Sequence, residues 1–202
     1  MSKSADFLAA VENRRTIYSL TNEPVIADEN IRKIIETAIL NAPSSFNSQS
    51  SRVVLLLRKD HEKLWDITSE ILKPIVPPEM WAWTEEKVAA FRAAYGTILF
   101  LEDTRPVNKL EEQYPAFAHH FPTWSEHASA MLQFILWTAL ELEGFGASLQ
   151  HYNPLIDARV ASEWGLPAEW QLKSQLVFGK PSGEPDKKTF EPLEDRFKVY
   201  GL

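Results

Sequence analysis

The sequence predicts an α+β fold in which a mixed sheet lies between helices, in one domain over residues 1–202. Three observations carry that expectation. Short apolar runs with charged or turn-forming ends, "RVVLLLR", "GTILFLED" and "LKSQLVFG", read as buried strands. Stretches with apolar residues at helical spacing stand before and between those runs. The 202 residues, 45% hydrophobic and 11% aromatic, suffice for a substantial core and contain no repeat, low-complexity block or linker that would divide it.

Residues 4–15 read as a first helix. "DENIRKIIETAIL" is a second, with Asp28 as N-cap and Ile31, Ile34, Ile35, Ala38 and Ile39 along one face. After the strand "RVVLLLR", Asp60 is placed to cap a helix over 61–73 that turns Leu64, Ile67 and Ile71 inward; Pro74, Pro77 and Pro78 stop it. Thr84 starts the next helix, to about Ala94, ahead of the strand "GTILFLED". Residues 103–122, with Pro106, Pro115, Pro122 and a cluster of Tyr114, Phe117, His119, His120 and Phe121, read as a loop or short helix with much aromatic surface. "TWSEHASAMLQFILWTALELEG" opens with a capping box of Thr123 and Glu126. It is apolar almost all round, as a helix buried at a domain centre or a dimer interface is. "GFGASLQ" leads out of it, Asn153 with Pro154 begins a helix to about Trp164, and "LKSQLVFG" is the last strand. Pro181, Pro185 and Pro192 make the tail after Gly179 extended.

Composition narrows the function. A net charge of −7, from 21 basic and 28 acidic residues, lacks the basic footprint that a phosphate backbone requires, so nucleic acid is not an expected partner. No apolar run approaches the ~20 residues that span a bilayer, and residues 1–20 contain no uninterrupted apolar segment of the signal-peptide type. A cytoplasmic protein without a membrane partner is expected. With no cysteine, the chain has no disulfide, thiolate ligand or thiol nucleophile, so redox chemistry would come from a bound cofactor.

Four polar clusters stand out. In "NRRTIYS", Arg14, Arg15 and Thr16 offer two guanidiniums and a hydroxyl, a set that either holds a phosphate or simply offsets a helix macrodipole. The loop "PSSFNSQSS" carries Ser44, Ser45, Asn47, Ser48, Gln49, Ser50 and Ser51, more hydrogen-bonding groups than a turn needs. In "EGFGASLQHYNP", Gly144 and Gly146 let the backbone pass close to a flat group, and Gly144 also suits the left-handed position after a helix. Lys187 and Lys188 in "KPSGEPDKKTFEPLED" can reach a phosphate or stand as a solvated pair. His119, His120 and His127 beside Glu126 fit no single helical face, so no metal site is expected. Phe117, Phe121 and Trp124 form either a wall for a flat ligand or ordinary core. No nucleophile elbow is visible, which argues against a hydrolase.

Taken in order, these clusters resemble the FMN-dependent nitroreductase family, from Arg14 to Leu193, and most closely its short subgroup of bacteria and yeasts associated with fatty-acid regulation and oxidative stress. "PSSFNSQ" at 43–49 is the most specific match. The resemblance implies a mainly antiparallel sheet, a homodimer, FMN as cofactor and NADH or NADPH as co-substrate. It also implies hydride transfer through flavin N5 to a nitroaromatic, a quinone or a similar small-molecule acceptor. Arg14 and Thr16, with Arg15 beside them, and Lys188, with Lys187, would then bind the FMN phosphate. Ser44, Ser45, Asn47 and Gln49 would meet the ribityl chain and ring edge, and the turn at Gln150 and His151 would bring a backbone N–H toward N5. Tyr18 and Phe190 stand where the family carries cations, and Ser50 and Ser51 where it carries a tryptophan. Those replacements leave a second reading open, an FMN-binding stress or regulatory protein with little turnover.

Overall fold

The computed structural model describes residues 2–201. Strand β5, Trp170–Pro181, is hydrogen-bonded along both edges and organises the sheet. On one edge it pairs with β3, Gly96–Asp103, which pairs in turn with β2, Ser51–Leu57. On the other it takes β4, Gly146–Gln150, and the short β1, Leu20–Thr21. All four of these pairings are antiparallel, and the parallel part of the expected mixed sheet is one bridge between Thr16 and Ala147.

Both faces of β3, and of β5 at Leu176–Phe178, are covered, which is why "ILFL" and "LVF" read as continuous apolar runs rather than alternations. Ile98, Phe100, Leu176 and Phe178 face one core, filled by α2 (Asp28–Asn41) and α6 (Phe121–Leu142) through Ile31, Ala38, Leu132, Leu136 and Leu140. Leu99, Leu101 and Val177 face the other, filled by α3 (Arg58–Leu72), α4 (Pro78–Arg92) and α7 (Asp157–Glu163). Helix α1 (Ala5–Asn13) lies against α6, and α5 (Thr104–Gln113) with the 3-10 helix Pro115–His120 lies against the start of α6. No helix among the described residues is long and apolar enough to cross a membrane.

Several element starts differ from expectation because side chains read as caps are engaged elsewhere. Ala27, not Asp28, caps α2; the Asp28 carboxylate accepts from the Tyr95 hydroxyl and pairs with Arg58. α3 begins at Arg58, and Asp60 accepts from Trp164 Nε1 at 3.0 Å. α4 begins at Pro78, leaving Thr84 inside it with its hydroxyl on the Met80 carbonyl. α6 begins at Phe121, and Glu126 pairs with Lys173 at 2.5 Å instead of closing a box with Thr123. The stretch 103–122 is mostly helical, α7 starts at Asp157, well past Pro154, and the "GASLQ" part of "GFGASLQ" is itself a strand. Nor is α6 covered on every side: Met131 is 40% and Leu142 69% exposed. At its end the left-handed reading of Gly144 holds, at φ +94°. Gly144 N–H donates to Glu141 O and Phe145 N–H to Leu140 O, which satisfies the last carbonyls.

One buried titratable group fixes how the fold responds to acid. His61 is enclosed in the core, and its Nδ1 lies 2.9 Å from the Thr97 hydroxyl, which also accepts from Trp65 Nε1 at 3.1 Å. Burial lowers its pKa from 6.5 to about 4. Between those values the unfolded chain binds a proton that the folded chain does not, so stability falls as pH drops through that window, by roughly 3 kcal/mol in all. Urea titrations across the window are expected to show this loss, and the slope is expected to flatten in His61→Gln. An unchanged slope in that variant would remove His61 as its cause.

Candidate active site

The first part of the site is the turn that ends α1. Arg15 N–H donates to Glu141 Oε2 at 2.8 Å, and Trp137 Nε1 donates to Oε1 of the same carboxylate at 2.9 Å, so one acid on α6 fixes the turn. Burial raises the Glu141 pKa, against the opposing pull of these hydrogen bonds and of Arg14 and Arg15. Ile17 N–H donates to Ala147 O at 3.0 Å, which ties the turn to the start of β4. The Arg15 side chain reaches the Asp186 carbonyl and shares a groove of about 630 Å³ with Lys187 and Lys188. Arg14 is placed differently: its guanidinium carbon lies 4.4 Å above the Trp137 ring and it lines a neighbouring pocket. Lys188 Nζ sits 5.2 Å from the ring of Phe190, and Tyr18 is half-exposed.

The second part is the end of β4. Gln150 stands opposite Gln175 in the ladder, and the buried Gln175 side chain accepts from Tyr152 N–H at 2.8 Å, which clamps the turn that carries His151. Gly146 is needed for internal packing: a Cβ there would come within 2.9 Å of Leu20 Cδ2 and 3.1 Å of Ile17 Cβ.

The third part is the serine-rich loop. Phe46, Asn47 and Gln49 all have φ near +50°, an arrangement costly for residues other than glycine. It is held by Ser44, whose Oγ accepts from Gln49 N–H at 3.0 Å and whose carbonyl accepts from Asn47 N–H at 3.0 Å. Arg52 adds a bond to the Gln49 carbonyl at 2.7 Å, and the Phe46 ring packs on Tyr114, Phe121 and Trp124. Phe121 is buried core, whereas Phe117 is exposed. Behind the loop lies Glu102, 2% exposed, which accepts from the Ser51 and Ser125 hydroxyls at 2.5 Å each. Sequence reading missed Glu102 and Gln175; the one available signal was a charged or amide residue inside an otherwise apolar strand.

The geometry therefore joins Arg14, Arg15 and Thr16 to one end of β4 and Gln150 and His151 to the other. Ser44, Ser45, Asn47 and Gln49 are set apart, beyond the far edge of the sheet. In sequence the chain belongs to the nitroreductase family, whose model matches residues 11–180, and it is an oxidoreductase of that family. It is 35% identical over 203 residues to nitroreductase FRM2 of Saccharomyces cerevisiae, across 99% of this chain and 100% of that one. Nitroreductase CinD from Lactococcus lactis, solved in complex with chloramphenicol and with 4-nitrophenol, is 43% identical with TM-scores of 0.89 and 0.88. Both alignments cover 96% of this chain and 100% of the other. The resemblance seen in the motifs is borne out.

Removing the Ser44 hydroxyl tests the loop. Ser44→Ala is expected to cost about 1 kcal/mol of local stability, and amide exchange at Gln49 should quicken several-fold while the core amides stay protected. Unchanged exchange at Gln49 would show that Arg52 and the Phe46 ring hold the loop alone.

Proposed function

We propose that the protein is a homodimeric, FMN-dependent oxidoreductase of the cytoplasm. It passes hydride from NADH or NADPH to nitroaromatic, quinone or related small-molecule acceptors. The observation that carries this reading is strand β4, which ties a cationic turn to one end and a clamped backbone turn to the other. His151 lies four residue steps beyond Ala147, about 13 Å of extended chain, a span suited to a ribityl phosphate between a phosphate site and a ring. Family membership supports FMN, and the nitroarenes bound to CinD support the acceptor class.

The donor set fits the cofactor. Arg14, Arg15, Thr16, Lys187 and Lys188 would hold a single terminal phosphate, with Tyr18 beside them. Ser44, Ser45, Asn47 and Gln49 would bond the ribityl hydroxyls and ring edge, and Gln150 and the His151 N–H would face N5. When bound, the flavin supplies the hydride-accepting atom. The chain supplies fixed donors: Glu141 locks the phosphate turn and Gln175 locks the His151 turn, so neither needs to reorganise as charge develops.

Within one chain the serine loop lies three strand spacings across the sheet from β4 and four residues further along β5, roughly 20 Å away. A second copy would bring its loop to this chain's phosphate turn. Unpartnered apolar residues favour that assembly: Met131 and Leu142 on α6, Leu40 on α2, and Phe190, Phe197 and Tyr200 in the tail.

FMN, not FAD, is expected in mass spectra of the released cofactor, and NAD(P)H oxidation is expected to rise on adding a nitroarene. Bound flavin without such turnover would favour the stress-protein reading. Light scattering at micromolar protein should give twice the 23.1 kDa chain mass; a monomer would break the two-copy site. Arg14→Ala should weaken FMN binding by about 30- to 1000-fold, from the loss of roughly 2–4 kcal/mol of charge-assisted bonding. An unchanged dissociation constant would leave Arg14 as the cation over Trp137 and nothing more.

A further inference from the structure

Beside the serine loop opens a pocket of about 520 Å³ that shares only Asn47 with the proposed flavin site. Asn47 and Ser48 form one wall; Arg52, Asp103, Arg105 and Lys109 form the other. Three cations around one carboxylate is a local reversal of a chain whose net charge is −7.

The contacts show which of these groups are engaged. Asp103 takes Arg105 through Nε at 2.9 Å and Nη2 at 2.6 Å, and takes Arg52 Nη2 at 2.9 Å. Arg105 in first place, with Arg52, holds the Asp103 carboxyl down to about 2, so it stays ionised. The Nη1 of Arg52 donates to the Gln49 and Ser51 carbonyls, which completes its role as a brace for the loop. One guanidinium neutralises Asp103. The second positive charge and Lys109 remain, and Glu169 acts on Arg105 only at longer range, without an ion pair. Among the described residues, Arg105 Nη1 and Lys109 Nζ enter no hydrogen bond or ion pair. Both line the same pocket, and an oxyanion is the ligand that such donors complement.

We propose that this pocket is an anion subsite of the active site, taking the phosphate or carboxylate group of a charged substrate. The assignment rests on reading the neighbouring loop as part of the flavin site. Two substrates could bring the group: a phosphate of the nicotinamide nucleotide, or a carboxylate on the electron acceptor. In either case the pocket selects for charge at a point beside the reaction centre, and salt weakens it.

The probe is inorganic pyrophosphate, titrated calorimetrically into the FMN-saturated protein at low salt. Lys109→Glu is expected to weaken binding tenfold or more and Lys109→Gln by less, with melting temperatures unchanged, since Lys109 makes no contact that supports the fold. Equal affinity in wild type and Lys109→Glu overturns the site. So does loss confined to Lys188→Glu, which would move the ion to the Arg15 groove. Competition identifies the source: displacement by NADP+, with or without NAD+, assigns a donor phosphate, and displacement by 4-nitrobenzoate but not nitrobenzene assigns an acceptor carboxylate. Lys109-dependent binding that yields to none of these is an adventitious ion only and overturns the subsite. A protein that takes up no FMN fails the flavin reading by its spectrum, while the same titration on the flavin-free chain still decides whether the pocket binds an anion.

Discussion

Strand β5 has partners on both edges and helices on both faces, so a polar group on it is costly to bury, and the Ser174 hydroxyl is buried there without a partner among the described residues. Leu176, Val177 and Phe178 are fully buried, each removing enough apolar surface to stabilise the fold by about 2 kcal/mol, and their alternation divides the two cores. The same strand sets the register of β3, β4 and β1. At Gly179 a Cβ would lie 2.5 Å from the Thr21 carbonyl, so the closest approach of β1 depends on having no side chain there. The buried amide of Gln175 is an exception with a use: it extends the influence of β5 past the end of β4 to the His151 turn.

The two halves of the site share one device, a carboxylate placed under them from the scaffold. Glu141 on α6 gathers the Arg15 backbone and the Trp137 indole. Asp103, at the end of β3, gathers Arg52 and Arg105, and Arg52 in turn holds the serine loop by its carbonyls. In both places a cation-rich surface feature is anchored to a rigid element through an acid.

The strands and the long helices were legible because a strand covered on both faces has a plain apolar signature, as "ILFL" in β3 and "LVF" in β5 show. Helix starts were less legible. Asp28, Asp60 and Glu126 look like caps locally, yet Tyr95, Trp164 and Lys173, all distant in sequence, claim them. Four polar clusters were readable in the sequence, but not their separation in space, since sheet order puts the loop before β2 far from β4. Nor could the sequence show that Arg14 turns onto Trp137 while Arg15 joins the lysines. Those choices are made by side chains from α6 and the tail that only the folded chain brings near.

Glu102 sits at the junction of β2, β3 and α6, and its two hydroxyl partners come from different elements, Ser51 at the start of β2 and Ser125 on α6. A carboxylate enclosed by the sheet without either hydroxyl would lose its water with nothing in return. With β2 alone or α6 alone beside it, the strand that carries it lacks one of the two hydroxyl partners. This one side chain couples the three elements: moving either β2 or α6 away takes a hydrogen bond from a buried acid, so displacing one neighbour weakens the hold of β3 at this corner.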